Sequence, residues 1–388
     1  MLRIMTVYGT RPEAIKVAPV LAALDADRDM SSLPVVTGQH REMLDQVNDF
    51  FGIEPIVDLD VFKHAQTLSE LAARILERSD EVLMRFRPDA VVVQGDTTTS
   101  MAAAIGAFYR RIPVFHLEAG LRSGNIDSPF PEELNRQVTS RMAALHFAPT
   151  HESQLNLIGE GIAADSVAVT GNTVIDALLE TVAMGRETEN VAVREAIESG
   201  RRVLLTTMHR RESWGQRMSG VARAIRQISD AHPDVQVVLP IHRNPIVREA
   251  VLPHLRDASN VLITEPLSYL DFANVLSASH LVLTDSGGVQ EEAPSLGKPV
   301  LVMRENTERP EAVVAGTVKL VGTDHDRIVR EVDVLLTDND AYGAMSHAVN
   351  PYGDGRASGR VLGAIREYFG IGLRLPDFTP VMGATASS

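Results

Sequence analysis

Two acidic residues stand directly after apolar runs of the chain, where a parallel sheet would present them to a ligand. Asp96 follows the run 90–94, and Glu118 follows a second run that ends near His116. Ligands of open α/β sheets lie beyond the carboxyl ends of the strands, so both carboxylates are candidates for a site. If the two strands are neighbours, repulsion and partial burial separate the two pKa values, which suits general acid and base catalysis.

The same region also has structural interpretations. Asp96 precedes a predicted helix and would serve there as a helix cap, whereas Glu118 is a poor cap and is expected to be functional. Glu132 lies one turn before Arg136 in a helix that is predicted to begin near Pro131. These two residues would form either a solvated ion pair or one wall of the site.

A glycine-rich turn is the second candidate site. Ser286, Gly287 and Gly288 follow an apolar run that ends at Thr284, and a short helix is predicted after them. Such a turn directs backbone N–H groups toward one point, the helix dipole favours an anion there, and glycine lets a phosphate approach closely. A carboxylate in this helix would accept hydrogen bonds from ribose hydroxyls. The turn therefore predicts a nucleoside diphosphate site, although a tight turn that needs glycine only for its dihedral angles has the same sequence.

Positive side chains also follow several predicted strands. They are Arg11 and Lys16 in the first half of the chain, and His209, Arg210, His242 and Arg309 in the second. A single exposed arginine is common on any surface. Several cations at strand ends indicate a site for an anionic ligand.

Strand and helix patterns alternate along the chain and start again after residue 170. The run 90–94 shows no polar alternation, which is typical of a parallel sheet covered on both faces, and the β–α–β rhythm predicts a doubly wound sheet in each half. We therefore predict an α/β protein with a GT-B fold, in which two Rossmann-like doubly wound parallel-sheet domains face each other across a cleft. The predicted parts are an N-terminal domain with the acid/base residues (1–170), a domain with the diphosphate turn (171–358), a helix that packs back on the first domain (359–370) and a frayed tail (371–388).

Composition and charge exclude several functional classes. The 388 residues suggest two domains, and the formal net charge of −14 argues against a nucleic-acid or anionic-membrane surface. The absence of cysteine excludes disulfides, thiolate nucleophiles and cysteine-bound metals.

No His-Glu-x-x-His motif occurs and no Gly-x-Gly-x-x-Gly follows the first strand, so neither a metal nor another cofactor is expected. Without a signal peptide or a membrane-spanning run, we expect a cytoplasmic enzyme.

A set of motifs resembles the non-hydrolysing UDP-N-acetylglucosamine 2-epimerases over about residues 1–368. In chain order the motifs are Gly9-Thr-Arg-Pro-Glu-Ala-Ile-Lys16, Gln94-Gly-Asp-Thr97, His116-Leu-Glu-Ala-Gly-Leu-Arg122, Pro131-Glu-Glu-Leu-Asn-Arg136, His209-Arg-Arg-Glu212, Asp285-Ser-Gly-Gly-Val-Gln-Glu-Glu-Ala-Pro-Ser-Leu-Gly-Lys-Pro299, Thr307-Glu-Arg-Pro-Glu-Ala312 and Asn350-Pro-Tyr-Gly-Asp-Gly355. Each motif alone is weak, but the set in this order is highly specific.

The resemblance implies a reaction and a set of roles. That family interconverts UDP-GlcNAc and UDP-ManNAc at C2, by elimination of UDP to 2-acetamidoglucal and re-addition, as a homodimer without a nicotinamide cofactor. By resemblance, Asp96, Glu118 and Glu132 are the acid/base groups and His209 assists at the leaving group. The substrate-binding residues implied are Arg11, Lys16, Arg136, His242 and Arg309, with Ser286, Gly287 and Gly288 on the diphosphate, Glu292 on the ribose and Phe272 near the uracil.

Some members of that family bind a second UDP-GlcNAc as an activator. Gln39, His40, Arg210 and His242 resemble positions of that site, whereas Glu42 stands where some regulated members carry glutamine, so the resemblance leaves activation open. Three other functions also remain open: a GT-B glycosyltransferase that uses a UDP-sugar donor, an epimerase of a modified UDP-HexNAc, and a nucleotide-sugar sensor without activity.

Overall fold

The computed structural model describes residues 1–38, 41–63, 65–210 and 215–380. Contacts divide the chain into two compact units. The N-terminal unit comprises Met1–Ala177 and Tyr352–Thr379, and the C-terminal unit is built on Leu178–Pro351. Residues 352–358, which the sequence analysis placed in the second domain, thus group with the first unit.

In the described part of the N-terminal unit, seven parallel strands form one sheet in the order β3-β2-β1-β4-β5-β6-β7. The strands are β1 (Leu2–Tyr8), β2 (Met30–Val36), β3 (Val57–Asp58), β4 (Ala90–Gln94), β5 (Val114–Leu117), β6 (Ala143–Ala148) and β7 (Val167–Val169). The helices are α1 (Arg11–Asp25), α2 (Arg41–Phe51), α3 (Leu68–Phe86), α4 (Thr98–Tyr109), α5 (Glu132–Met142), α6 (His151–Gly159) and α7 (Thr173–Ala183). The strand order reverses between β1 and β4, the position at which doubly wound sheets bind their ligands.

The core of this unit explains why β4 carries no polar alternation. Val91 and Val93 pack in a cluster with residues of α3 and α4, while Val92 is equally buried, so both faces of β4 are covered. Ile75 of α3 is fully buried in this cluster. Its replacement by alanine would leave a cavity that costs about 2–5 kcal/mol of unfolding free energy.

In the described part of the C-terminal unit, six parallel strands form a second sheet in the order β10-β9-β8-β11-β12-β13. The strands are β8 (Arg202–Thr207), β9 (Val235–Pro240), β10 (Val261–Thr264), β11 (Ser279–Thr284), β12 (Val300–Val302) and β13 (Val318–Leu320). The helices are α8 (Val191–Glu198), α9 (Gln216–Ala231), α10 (Pro245–Leu255), α11 (Tyr269–Ala278), α12 (Val289–Ser295), α13 (Pro310–Ala315), α14 (His325–Thr337) and α15 (Asn339–Ser346). Here the order reverses between β8 and β11, so the two units repeat one topology.

The last elements belong to the N-terminal unit. Helix α16 (Ala357–Tyr368) packs against α1. Beyond it, Phe378 donates a backbone hydrogen bond to the carbonyl of Val169 at 2.7 Å, and Asp377 accepts one from the Val169 N–H at 3.2 Å. These contacts cover part of the edge of β7, so residues 377 and 378, expected as part of a frayed tail, are hydrogen-bonded to the sheet.

No helix in the described ranges is both long enough and apolar enough to cross a membrane.

Candidate active site

The strands that carry the two predicted carboxylates are neighbours. β4 and β5 pair in parallel with Gln94 opposite Leu117. Asp96 comes two residues after β4 and Glu118 directly after β5. Both carboxylates therefore stand at the carboxyl edge of the same sheet, as the strand-end rule predicted.

Glu118 is held by three donors. The ammonium group of Lys16 lies 2.5 Å from its Oε1 and 2.6 Å from its Oε2. The side-chain amide of Gln94 donates to Oε2 at 2.7 Å, and that of Asn172 donates to Oε1 at 3.1 Å. Because both oxygens accept from a charged or amide donor, these contacts favour the ionised carboxylate.

The backbone at Glu118 is also unusual. Its φ of 58° lies in the left-handed region, which costs a non-glycine residue roughly 1–2 kcal/mol. Opposite it, Gly95 has a φ of 67°, and a Cβ at Gly95 would come within 3.3 Å of Glu118 Oε2. Strained residues of this kind cluster at functional sites, because the surrounding structure must hold them there.

Asp96 pairs with Arg136. The guanidinium of Arg136 donates to Asp96 Oδ2, and the side-chain amide of Asn135 donates to the backbone carbonyl of Asp96 at 2.9 Å. Burial raises the pKa of Asp96. Arg136 opposes that effect, and the charge of Glu118 adds to it, so the pKa of Asp96 remains above its usual value. Asp96 is thus a carboxyl group of this unit that is suited to carry a proton.

The cap interpretation of Asp96 is wrong. Thr97 is the N-cap of α4, and its side-chain oxygen accepts from the backbone N–H of Ser100 at 3.1 Å. Since Thr97 satisfies the helix end, the side chain of Asp96 remains available to Arg136 and to a ligand.

The expected ion pair between Glu132 and Arg136 is also wrong. Arg136 contacts the fully buried Glu133, with 3.3 Å between NH1 and Oε2. Both glutamates are near enough along α5, but Glu133 is the one that the fold buries, where it also accepts from the N–H of Ser123 at 3.1 Å. Within the described ranges, no hydrogen bond or ion pair joins Glu132 to Asp96 or Glu118; it lies partly buried in the first turn of α5.

Glu13 joins two strand-end loops and was not predicted as a site residue. It accepts from the N–H groups of Gly9 and Thr10 at 3.0 and 2.8 Å, and from the hydroxyl of Thr97 at 2.7 Å. The capping box Thr10-x-x-Glu13 at the start of α1 was the sequence signal for it. Burial raises the pKa of Glu13. Next to it in the chain, Arg11 begins α1 and is partly buried.

His116 is not an acid/base group. Burial lowers the pKa of His116 to about 3, so the ring is neutral, and its Nε2 donates to the carbonyl of Gly95 at 2.7 Å. The ring therefore supports the loop that carries Asp96.

In the C-terminal unit, the predicted turn lies between β11 and α12. The N–H of Ser286 donates to the hydroxyl of Thr284 at 2.9 Å. A Cβ at Gly287 would come within 2.9 Å of NH1 of Arg309, so this guanidinium lies directly against the turn. Arg309 is held in turn by the buried Glu291 and by Glu308 at 3.0 Å. Because α12 has only seven residues, Arg309 is the positive group that lies directly beside the turn.

Asp285 connects the turn to the loop after β8. Its carboxylate accepts from the N–H groups of His209 and Arg210, both at 2.9 Å, and lies 2.9 Å from Nδ1 of His209. Burial by itself raises the pKa of Asp285. The hydrogen bonds and charge of His209 outweigh burial, so the pKa of Asp285 lies below its usual value. The ionised Asp285 thereby orients the His209 ring.

Arginines also surround Glu308. Arg304 donates to it at 2.6 Å and Arg210 at 2.9 Å. Burial raises the pKa of Glu308, but the charge of Arg309 and the hydrogen bond from Arg304 outweigh it and lower the pKa to about 2. Glu308 thus remains ionised and holds this group of arginines together.

Three other predicted residues of this unit lie in α12, after β9 and in α11. Glu292 is buried in the first turn of α12, with an oxygen 3.7 Å from a Cβ built at Gly288. His242 is exposed after β9, and its Nδ1 accepts from the N–H of Asn244 at 3.1 Å. Phe272 lies partly buried in α11.

Gln39 and His40, predicted for an activator site, lie outside the described residues.

No cluster of three or more histidine, aspartate or glutamate side chains in the described part of the chain could hold a metal ion.

Comparison with known proteins decides the family. The model of the UDP-N-acetylglucosamine 2-epimerase family matches residues 22–366. The chain belongs to this family. It is 52% identical over 376 residues to the UDP-N-acetylglucosamine 2-epimerase of Bacillus subtilis strain 168, an alignment that covers 97% of this chain and 98% of the relative. It is 50% identical over 370 residues to that of Escherichia coli strain K12, with 94% and 98% covered.

A solved member of the family has the same fold. The UDP-GlcNAc 2-epimerase of Neisseria meningitidis, solved with UDP-GlcNAc bound, superposes with a TM-score of 0.86 at 44% identity, covering 94% of this chain and 100% of that one. The predicted α/β architecture of two Rossmann-like, parallel-sheet domains of the GT-B type is therefore confirmed.

Proposed function

We propose that this protein interconverts UDP-N-acetylglucosamine and UDP-N-acetylmannosamine at C2. Family membership supports the reaction, and one observation in the structure carries the chemistry. Asp96 and Glu118 stand at the ends of two paired strands, each beside its own cation. Inversion of a carbon centre needs groups that take up and return a proton, whereas a glycosyltransferase needs an acceptor site instead.

The proposed route is elimination of UDP followed by its re-addition. The C2 proton is only weakly acidic, so cleavage of the C1–O bond leads, with its electron pair departing on the diphosphate oxygen. A carboxylate takes the C2 proton, and C1 and C2 become joined by the double bond of 2-acetamidoglucal. In the return step the diphosphate oxygen adds to C1 and a proton reaches the other face of C2.

Each unit has one part of this chemistry. In the N-terminal unit, Asp96, Glu118 and Glu132 are the acid/base groups, and the raised pKa of Asp96 suits a proton carrier. In the C-terminal unit, the Ser286–Gly288 turn and Arg309 stabilise the diphosphate, and His209, oriented by Asp285, assists its departure. The remaining proposed contacts are those of Arg11, Lys16 and Arg136 with the sugar, Glu292 with the ribose, Phe272 with the uracil, and His242 with the substrate.

Incubation with UDP-GlcNAc in D2O, without any acceptor, tests the proposal. We expect UDP-ManNAc with deuterium at C2, detected by NMR. Unchanged substrate would rule the epimerase out and leave the glycosyltransferase or the sensor. Release of UDP and of free ManNAc into solution would indicate a hydrolysing enzyme. The same assay with modified UDP-HexNAc substrates would identify a different sugar.

We also infer a homodimer, as the family resemblance implies. Light scattering on the purified protein should give twice the mass of one chain, and the mass of a single chain would contradict this inference. Two further properties remain predictions. One is activation by a second UDP-GlcNAc, bound by Gln39, His40, Arg210 and His242, and the other is the cytoplasmic location.

A further inference from the structure

Asn172 is unusual for a loop residue, because its side-chain oxygen, its side-chain amide and both of its backbone polar groups have hydrogen-bond partners. It is 3% exposed and directly precedes α7. Its side-chain oxygen accepts from the N–H of Val174 at 3.1 Å, and its side-chain amide donates to Glu118 at 3.1 Å. Its backbone N–H donates to the carbonyl of Tyr352 at 2.6 Å, and its backbone carbonyl accepts from the N–H of Ile175 at 3.1 Å.

The position of Asn172 in the chain is also unusual. The chain leaves the N-terminal unit at 177/178 and re-enters it at 351/352. The two segments meet at Asn172: a Cβ at Gly171 would come within 3.2 Å of the Cα of Gly353, and a Cβ at Gly353 would come within 3.1 Å of Ile175. Asn172 therefore ties the carboxylate of Glu118 to both segments through which the chain leaves and enters this unit.

Glu118 needs such support. Its backbone is in the left-handed region and its side chain is long, so without fixed partners the carboxylate would sample several rotamers. Lys16 contacts both oxygens but is itself a long, flexible side chain, whereas Asn172 is short, buried and fixed at three other atoms. A displacement of about 1 Å in a catalytic group can lower turnover by roughly a hundredfold.

We propose that Asn172 is a positioning residue of the epimerase, whose side-chain amide holds Glu118 in the geometry required for proton transfer at C2. This inference rests on the proposed function, because it assigns Asn172 a part in the chemistry of Glu118. Only a side chain with both an acceptor and a donor at this length can bond Val174 and Glu118 together. The sequence motifs do not include Asn172.

A purely structural role for Asn172, as the cap of α7, makes a different prediction. Asparagine, aspartate and serine cap helices about equally well. Asn172→Ser and Asn172→Asp both keep an oxygen for Val174. The aspartate has no N–H to donate to Glu118, and the serine hydroxyl is on a shorter side chain that does not reach Glu118 from the cap position. Asn172→Asp also places a second negative charge beside that carboxylate. If Asn172 acts only as a cap, Asn172→Ser should therefore turn over like the wild type, and this variant decides between the two roles.

The experiment measures kcat, KM for UDP-GlcNAc, the dissociation constant of UDP and the thermal midpoint for the full-length wild type and both variants. We expect kcat to fall about tenfold in Asn172→Ser and about a hundredfold in Asn172→Asp, with KM and the UDP dissociation constant within about threefold of wild type. The matched control is Asn190→Asp, the same exchange at the cap of α8, where the side chain accepts from Val193 at 3.2 Å. Its kcat should equal that of the wild type.

The outcomes separate this inference from the proposed function. A wild type that incorporates no deuterium at C2 contradicts the proposed function itself. A wild type that epimerises, together with an Asn172→Ser variant whose kcat is within twofold of it, contradicts the positioning role alone. A fall in kcat that is matched by weaker UDP binding would also overturn that role, because it would indicate general disruption. If Asn172→Asp does not fold, Asn172→Ser decides the question.

Discussion

The two units repeat one sheet topology, but one pair of site residues in each unit exposes the opposite partner. In the N-terminal unit, the carboxylate of Asp96 is the more accessible partner, 28% exposed against 11% for Arg136. In the C-terminal unit, Asp285 is 2% exposed and its partner His209 is 48% exposed. Asp96 thus presents a carboxylate in the first unit, and Asp285 supports an exposed imidazole in the second. Both side chains of the Lys16–Glu118 pair are mostly buried, 18% and 8% exposed.

Under the proposed function, this difference would let one architecture serve two chemistries. Proton transfer needs carboxyl groups with adjusted pKa values, so cations such as Lys16 and Arg136 stand behind them. Binding of a diphosphate needs positive charge and backbone N–H groups, so Glu291 and Glu308 stand behind Arg309. In both units the supporting group holds the presented group in one position.

The largest effect should come from a carboxylate of the N-terminal unit. Glu118→Gln keeps the size of the side chain but removes the charge and the ability to carry a proton. We expect kcat to fall by about a thousandfold, within the range typical of a lost acid/base group, with UDP affinity unchanged. Steady-state kinetics and calorimetric titration with UDP measure the two quantities.

The control for Glu118→Gln is a second lysine–glutamate pair with the same separation. Lys319 and Glu331 also lie 2.5 Å apart, on the surface of the C-terminal unit. Glu331→Gln should leave kcat unchanged. Turnover of Glu118→Gln within tenfold of the wild type would remove Glu118 from the mechanism.

A smaller effect is expected where the diphosphate approaches the backbone. At Gly288 the φ is −61°, and an added Cβ would have only ordinary contact with Glu292, at 3.7 Å. Gly288→Ala should therefore fold normally, with an unchanged thermal midpoint. If phosphate approaches here, the added methyl group should weaken UDP binding about tenfold, as an extra methyl group in a tight pocket does.

Two further alanine variants sharpen that result. Gly287→Ala should weaken UDP binding more strongly, because its Cβ would also displace Arg309, 2.9 Å away. Gly159→Ala, where no atom lies within 4 Å of the new Cβ, should bind UDP like the wild type. Equal UDP affinity in Gly288→Ala and wild type would mean that this glycine serves the turn alone.

The smallest effect should come from a supporting carboxylate, and it depends on pH. The pKa of Glu308 is lowered from 4.5 to about 2, so the folded state favours the ionised form. A depressed pKa stabilises the fold above the unfolded pKa, and that stabilisation is lost as the pH falls from about 4.5 toward 2. Glu308→Gln should therefore lower the thermal midpoint by a few degrees at pH 7, and the difference from wild type should shrink below pH 4.5.

Glu198→Gln, at an exposed position of α8, is the matched control for that measurement. Its thermal midpoint should follow that of the wild type at every pH. A midpoint difference for Glu308→Gln that stays constant from pH 7 to pH 3 would show that Glu308 does not act through its charge.

Much of the fold and part of the site could be predicted, because both depend on local patterns. The apolar runs predicted the central strands, and their ends led to Asp96, Glu118 and the Ser286–Gly288 turn. Short elements such as β3 and β13 were missed, since two or three residues are too few to show a period. Met208, next to His209, is a core residue of the C-terminal unit.

The sequence by itself determined the α/β class, the repeated half, the family and the residue types available at the strand ends. Only the tertiary structure decided which of these residues are partners. Arg136 pairs with Asp96 and Glu133 instead of Glu132, and Asn172 reaches a carboxylate 54 positions earlier in the chain. The physical reason is that periodicity reports which face of an element is buried, whereas the partner of a buried charge depends on what the rest of the fold brings within hydrogen-bonding distance.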